Sequence, residues 1–221
     1  MNRLILPFFL FFCVMSPLLK AQSLGQFPSK NSYGRNNLTI NDIKGSPYLD
    51  SEYKAGTVMT FDDILYKDIP LRYNCFDDIF EFKKDNVSYD LKPKEKIKRV
   101  AFGGKVFGYR EFETNGGSDK SFCEILAEGK AVLCVRFSVK FYEPEPLQGF
   151  ADPKPARFDD FSETYYISVN NSPAKKFSNS KKLLEMFGDK QKDVDGYMSK
   201  QKLSVKKLED LKKIVTYYNT L

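Results

Sequence analysis

From Thr57 to Val169 the chain alternates short apolar runs with residues that favour tight turns. Residues 135–141 place Val or Phe at every second position, between Arg, Ser and Lys, which is typical of a strand with one buried face. Gly103-Gly104, Glu128-Gly129 and Asp85-Asn86 provide the turns of hairpins. Short turns between so many strands favour an antiparallel meander, either a curled sheet or barrel-like, over a parallel sheet. The predicted strands are Thr57–Phe61, Ile69–Asn74, Ile79–Lys83, Val87–Leu91, Lys98–Phe102, Lys105–Phe112, Phe122–Leu126, Ala131–Phe141 and Thr164–Val169.

The pattern changes twice after this region. Residues 143–163 contain four prolines, which central strands exclude, and predict a long loop. From Ser178 onward apolar residues recur at helical spacing, and Ser180, Asp189 and Ser204 are candidate caps of three short helices. The predicted fold class is therefore α+β: an antiparallel β-meander followed by a small C-terminal helical segment. The apolar stripe of the last helix consists of Val205, Leu208, Leu211, Val215 and Tyr218.

The first 21 residues have the pattern of an export signal. Arg3 is followed by an apolar run from Leu4 to Leu19, and a small residue precedes the expected cleavage between Ala21 and Gln22. The alternative is a retained membrane anchor. That run is shorter than the roughly 20 residues of a membrane-spanning helix, and two prolines interrupt it. We expect an exported protein that is periplasmic, attached to the cell surface or secreted.

Charge and composition divide the chain into four segments. We predict a signal peptide (1–21), a flexible lead-in (22–44), a β-rich domain (45–174) and a helical C-terminal segment (175–221) packed on or beside it. Removal of the signal lowers the net charge from +6 to +4. Residues 175–221 hold 12 Lys and 6 Asp or Glu, net +6, whereas residues 22–174 have a net charge of −2. The C-terminal segment is thus the part suited to an anionic surface.

The absence of histidine excludes several classes of enzyme. A Ser-His-Asp hydrolase, a Cys-His protease and a His-ligated zinc enzyme all require that residue. No catalytic residue, cofactor or metal ligand set can be assigned from the remaining residues. A histidine-free enzyme stays open as an alternative, and it would have to use Asp, Glu, Tyr, Lys or Cys75.

The exported part of the chain keeps three cysteines, Cys75, Cys123 and Cys134. A hairpin centred on Glu128-Gly129 places Cys123 opposite Cys134. A four-residue loop would make them a closely spaced pair suited to a disulfide, whereas a two-residue loop would make them a hydrogen-bonded pair that is less suited. A disulfide and a reduced, half-buried pair both remain open, and we expect Cys75 to be a buried structural thiol.

Arg72 stands among apolar neighbours on a predicted strand, with Asp77, Asp78 and Glu81 nearby. A half-buried Arg requires a carboxylate partner, so we expect a structural ion pair, with a ligand-binding role for Arg72, Asp77 and Asp78 as the alternative. The motif Phe-Asp-Asp that contains Asp77 and Asp78 also occurs at residues 61–63 and 158–160. We interpret it as Asp-rich turns beside buried aromatic residues, with a calcium site as the alternative.

Three lysines, Lys206, Lys207 and Lys213, are predicted to lie opposite the apolar stripe of the last helix. They are candidates for binding an anionic lipid or lipopolysaccharide, and the alternative is an ordinary solvated helix face. No Arg or aromatic cluster interleaves the lysines, so we do not expect nucleic acid as a partner.

Several short segments resemble an uncharacterised family of exported Bacteroidota proteins. They are Gly45-Ser46-Pro47-Tyr48-Leu49, Gly56-Thr57-Val58, Pro70-Leu71-Arg72-Tyr73-Asn74, Leu208-Glu209-Asp210-Leu211 and Tyr217-Tyr218-Asn219. The resemblance runs from about Gly45 to the C-terminus. It implies an envelope or extracellular location, and it brings no activity or catalytic residue with it.

Together these features predict an exported, non-catalytic binding or scaffolding protein of the bacterial envelope. Its expected partner is an envelope protein, a glycan or a lipid. The alternatives are a glycan- or lipid-binding module and a histidine-free enzyme. An aromatic groove would favour a glycan, an apolar interior a lipid, and a pocket of converging carboxylates an enzyme. Most predicted strands are shorter than the roughly 9–11 residues of outer-membrane barrels, so an integral membrane protein is not expected.

Overall fold

The structure, a computed structural model, describes residues 25–28, 43–145 and 154–221, and of residues 25–28 the backbone alone. The predicted cleavage site between Ala21 and Gln22, and most of the lead-in, lie outside the described residues. Within the lead-in, Gly25–Pro28 forms strand β1.

Antiparallel pairing organises the described strands into one large sheet and one small one. The strands are β1 (Gly25–Pro28), β2 (Lys54–Thr60), β3 (Leu65–Asn74), β4 (Ile79–Lys84), β5 (Val87–Lys92), β6 (Ile97–Phe102), β7 (Lys105–Thr114), β8 (Gly117–Ala127), β9 (Ala131–Ser138), β10 (Phe141–Tyr142), β11 (Arg157–Phe158), β12 (Ser162–Val169) and β13 (Lys175–Lys176). The large sheet has 11 strands in the order β1-β5-β4-β3-β2-β6-β7-β8-β9-β12-β13, and β10 pairs with β11. The sheet is antiparallel, as predicted, and it is not closed.

The predicted strands are all present, with one correction. The strand expected to run from Ala131 to Phe141 ends at Ser138, where its pairing with β12 ends. Phe141–Tyr142 instead forms a separate strand that pairs with Arg157–Phe158. Arg157–Phe158 lies within residues 143–163, which were predicted to be a loop. The turns follow the sequence more closely. Gly103 and Gly104 both have positive φ, 58° and 77°, which two-residue hairpin turns require.

Three α-helices follow the sheet: α1 (Ser180–Glu185), α2 (Gln191–Gln201) and α3 (Leu208–Tyr218). The three predicted caps are wrong. Asn179 caps α1, and its Oδ1 accepts from the Lys182 amide at 3.0 Å. A 3-10 turn, Gly188–Lys190, leads directly into α2 without a side-chain cap. Ser204 lies in a turn before α3, where its Oγ accepts from the Lys206 amide at 3.3 Å.

Two hydrophobic cores stabilise this arrangement. The first lies within the strands and is rich in aromatic rings, with the Tyr73 centroid 4.8 Å from Phe80 and 5.4 Å from Phe107. The second lies between the helices and strands β9 and β12. Its fully or nearly fully buried members include Leu133, Ile167, Leu183, Val194 and Ile214. The C-terminal helices are therefore packed on the sheet by the burial of apolar side chains.

Two short connections join the C-terminal part of the chain to the sheet. Asn219 ties the end of α3 to the β8–β9 hairpin: its Oδ1 accepts from the Ala131 amide at 2.7 Å, and its Nδ2 donates to the Ala131 carbonyl at 2.9 Å. After β12 the chain returns to β7, where the Ala174 amide donates to the Glu111 carbonyl and the Ala174 carbonyl accepts from the Glu113 amide. This return places β13, with its two lysines, at the edge of the sheet.

Candidate functional site

Arg72 lies directly opposite Glu81 across the β3–β4 pairing. Its Nε and Nη2 donate to Glu81 Oε2 at 2.9 and 2.7 Å, and Glu81 is fully buried. The guanidinium carbon lies 3.8 Å from the ring centre of Tyr48 and 4.5 Å from that of Tyr53. Both tyrosine hydroxyls and Ser88 Oγ also donate to the Glu81 carboxylate. This arrangement satisfies the buried charge and gives Arg72 a structural role, as the sequence led us to expect.

The two aspartates beside Arg72 in sequence bind to other parts of the protein. Asp78 has positive φ, 50°, and its carboxylate accepts from the Tyr73 hydroxyl at 2.7 Å and the Phe122 amide at 3.0 Å. Lys94 Nζ lies 3.3 Å from the same carboxylate. Asp77 accepts from Asn74 Nδ2 at 2.9 Å. These carboxylates thus hold the β3–β4 turn, and the structure does not bring them together with the predicted lysines.

The cysteine register differs from the predicted one. Next to the turn, Ala127 pairs with Leu133, so the β8–β9 hairpin is not centred on Glu128-Gly129 as predicted. Beyond a bulge between Ile125 and Ala127, Cys134 faces Ile125 and not Cys123. Cys123 and Cys134 are free thiols, both buried in a small cluster with Phe112. The hydrogen bond with Cys134 raises the pKa of the Cys123 thiol well above its usual range, and burial raises it further.

Cys75 is also a free, buried thiol, as expected. Burial raises its pKa to about 12, and the nearby Asp78 contributes to the shift. A thiol with so high a pKa is protonated at neutral pH and is a poor nucleophile. Among residues 43–145 and 154–221, no three His, Cys, Asp or Glu side chains cluster as metal ligands would.

A cavity of about 480 Å³ lies between strands β12–β13 and the turn before α3, and we call it the basic groove. Its lining includes Tyr165, Lys176, Phe177, Val205, Lys206 and Leu208. Within the described part of the chain, neither Lys176 nor Lys206 forms an ion pair. The groove therefore combines two available ammonium groups with an apolar floor.

One carboxylate, that of Glu163, also lines the basic groove. Its Oε2 accepts from the Tyr165 hydroxyl at 2.6 Å. Burial and this hydrogen bond raise the pKa of Tyr165 to about 12, so the phenol stays neutral at physiological pH. The basic groove accordingly has an excess of positive charge.

A second cavity of about 480 Å³ adjoins β13 and α1, and Lys176 lines this cavity as well as the basic groove. Lys175 and Lys182 also line it, but both have carboxylate partners, Glu113 and Glu185. Lys176 is thus the residue that connects the two cavities.

The three lysines predicted to share a helix face do not share one. Lys206 and Lys207 precede α3, which begins at Leu208, and Lys213 alone lies on the helix. Lys206 lines the basic groove, whereas Lys207 and Lys213 are exposed and do not. Sequence reasoning missed Lys176 and Phe177. The sequence does show two consecutive lysines, Lys175 and Lys176, after the last predicted strand. However, Lys176 lines the same cavity as Lys206 only because β13 pairs with β12.

No protein-family model, curated protein or solved structure matches this chain. No helix in the described ranges has both the length and the apolar character needed to cross a membrane.

Proposed function

We propose that the protein is an exported, non-catalytic binding protein of the bacterial envelope, and that its basic groove binds the headgroup region of an anionic lipid. The observation that carries the proposal is the pair Lys176 and Lys206, which have no carboxylate partner among the residues that the structure describes and which lie beside an apolar floor formed by Phe177, Val205 and Leu208. An envelope location follows from the predicted export signal and from the resemblance described above.

The chemistry of the basic groove suits an amphiphile. The ammonium groups attract a phosphate or carboxylate, and the apolar floor accepts the adjoining hydrocarbon. A wholly polar anion would leave Phe177 and Val205 without a contact. A reaction that depends on paired carboxylates is not favoured here, because Glu163 is the one carboxylate in the lining and it is bonded to Tyr165.

The expected affinity is modest and depends on salt. A lysine near an anionic membrane surface contributes about 1 kcal/mol, so Lys176 and Lys206 together contribute about 2 kcal/mol. That energy corresponds to a roughly 30-fold change in affinity. Because both ammonium groups reach solvent, we expect salt to weaken binding.

Flotation of the exported chain with vesicles tests the proposal. One set of vesicles contains phosphatidylcholine alone, and in the other half of the lipid is phosphatidylglycerol. We expect binding to the second set, reduced roughly 30-fold in the double variant Lys176→Ala with Lys206→Ala. The control, Lys192→Ala with Lys200→Ala, removes the same charge from exposed positions of α2 outside the basic groove, and it should bind like the wild type.

Two results would contradict the proposal. Equal binding of the wild type to both sets of vesicles would mean that anionic lipid is not recognised. Equal losses in the groove variant and the α2 variant would mean that net charge, and not the basic groove, determines binding. A third variant, Leu208→Ser, tests the apolar floor, and we expect it to weaken binding while leaving the salt dependence unchanged.

A further inference from the structure

The hairpin that joins β7 to β8 ends in an exposed turn, Asn115-Gly116. Thr114 pairs with Gly117, so the two residues of the turn lie outside the strand pairing. Among the residues that the structure describes, the Asn115 side chain has no hydrogen-bond partner. Asn115 is also the one asparagine of the sequence that glycine follows. The turn thus holds an unrestrained side-chain amide next to a residue without a Cβ.

The backbone amide of Gly116 is the second reactive group of this turn. Within the described ranges it donates no hydrogen bond, because the strand pairing stops at Thr114 and Gly117 on either side of it. A deprotonated backbone amide attacks the side-chain carbonyl carbon of a preceding asparagine, and a five-membered ring closes. A hydrogen bond on that amide and a side chain on its residue both oppose the attack. Gly116 has neither obstacle.

The other asparagines of the chain lack this combination. A residue with a side chain follows each of them. In three cases the amide that follows is also held by a hydrogen bond of 2.7–3.1 Å to a backbone carbonyl. They are the amides after Asn74, Asn171 and Asn219, which donate to the carbonyls of Pro47, Val169 and Tyr217. The structure therefore separates Asn115 from these asparagines by more than its sequence context.

We propose that Asn115 is a site of spontaneous deamidation in the exported protein. The Gly116 nitrogen forms a bond to Asn115 Cγ, the Cγ–Nδ2 bond breaks, and ammonia leaves with the proton of the Gly116 amide. Water then opens the succinimide ring by adding to one of its two carbonyl carbons. Addition at Cγ restores the ordinary backbone and gives aspartate. Addition at the backbone carbonyl carbon gives isoaspartate, in which the chain continues through Cγ.

The reaction changes the charge of the turn and the length of its backbone. The new carboxylate lowers the net charge of the exported chain from +4 to +3. Isoaspartate also adds a methylene group to the backbone between β7 and β8. Neither Asn115 nor Gly116 belongs to a hydrophobic core or to the lining of the basic groove. We therefore expect the folded protein to tolerate both products, since loop tips accept such changes.

Timed incubation of the whole exported chain at neutral and at mildly alkaline pH tests the proposal. Trypsin cleaves after Arg110 and Lys120, and the peptide between these sites contains Asn115 as its sole asparagine. We expect the mass of this peptide to rise by the difference between an acid and an amide. Conversion should be faster at the higher pH, because the deprotonated amide is the nucleophile. Peptide from the Asn115→Asp variant serves as the chromatographic standard for one of the two products.

Gly116→Ala is the matched variant, because a Cβ at this position meets no atom within 4 Å and φ is not positive. It should keep the unfolding midpoint and slow the conversion roughly tenfold or more, a rise of about 1.4 kcal/mol in the activation free energy. The groove variant Lys176→Ala with Lys206→Ala should convert like the wild type, which separates this test from that of the lipid site.

Three results would overturn the proposal. The first is an Asn115 that keeps its amide throughout the incubation, or loses it no faster than the other asparagines do. The second is a Gly116→Ala variant that converts as fast as the wild type. The third is conversion that begins only when urea has unfolded the chain, as followed by circular dichroism, because the turn of the folded hairpin would then be unreactive.

Discussion

Replacement of Arg72 by Met should destabilise the protein strongly, because it leaves the buried Glu81 carboxylate without its cation. Glu81 is 0% exposed and the Arg72 side chain 20% exposed. Removing one partner of a buried ion pair lowers the free energy of unfolding by about 3–5 kcal/mol. The hydroxyls of Tyr48, Tyr53 and Ser88, at 3.0–3.3 Å from the carboxylate, continue to donate after the substitution. We therefore expect the lower end of the range, about 3 kcal/mol.

A loss of about 3 kcal/mol lowers the melting temperature of a chain of this size by roughly 6–12 °C. Urea unfolding followed by far-UV circular dichroism measures the free energy directly, and that signal suits a chain without tryptophan. The double variant Arg72→Met with Glu81→Gln removes both charges of this pair. It should recover at least half of the loss, so the two substitutions should not be additive.

The exposed pair Lys98–Asp63 provides the control, because its nitrogen–oxygen distance is 2.8 Å but its side chains are 42% and 75% exposed. Lys98→Met should cost less than about 1 kcal/mol. The reasoning is refuted if Arg72→Met costs as little as Lys98→Met, or if the double variant loses the sum of the two single losses.

Three further predictions concern other parts of the fold. Alkylation of the unfolded, unreduced protein should modify all three thiols of the exported chain, because none of them forms a disulfide. Cys123 and Cys134 lie at diagonal positions of β8 and β9. The Cα atoms of such a pair are about 7–8 Å apart, which is beyond the usual reach of a disulfide. A mass spectrum with one alkyl group would contradict this. Asn219→Ala should lower the free energy of unfolding, measured in urea, by about 1–3 kcal/mol, because the buried Ala131 amide loses its acceptor. A decrease of less than about 0.5 kcal/mol, the size expected for an ordinary surface substitution, would refute this prediction. The pKa of Tyr165 is about 12 in the folded protein, compared with an ordinary value of 10.0. As the pH rises from 10 to 12, the phenol therefore ionises in the unfolded chain before it does so in the folded one, and the free energy of unfolding should fall. Glu163→Gln should lower the Tyr165 pKa only partly, since burial is the larger cause; phenolate absorbance measures it, and an unchanged pKa would exclude the hydrogen bond as a cause.

Local sequence patterns predicted the strands well because alternation and turn residues act over a few positions. Gly103-Gly104 and Asp85-Asn86 adopt the positive φ angles that their residue types favour. The helix starts were predicted less well, because Asn179 and Ser180 are both good caps and only the backbone course decides between them.

The candidate sites depend on register and on contacts distant in sequence, which local patterns do not determine. The β8–β9 turn is not centred on Glu128-Gly129, and Cys134 therefore faces Ile125 and not Cys123. Arg72 had several carboxylates within a few residues, and only the β3–β4 register selects Glu81. Lys176 and Lys206 are far apart in sequence and become neighbours through the packing of the helices on β12.

Strand β9 has a consequence for how the molecule loses its structure. Its inward side chains belong to both cores: Ala131 and Leu133 to the helical one, Val135 and Phe137 to the aromatic one. Neither core can open without breaking contacts of the same eight-residue backbone. We therefore expect helices and sheet to unfold as one cooperative unit, with the β9 amides the slowest to exchange with deuterated solvent.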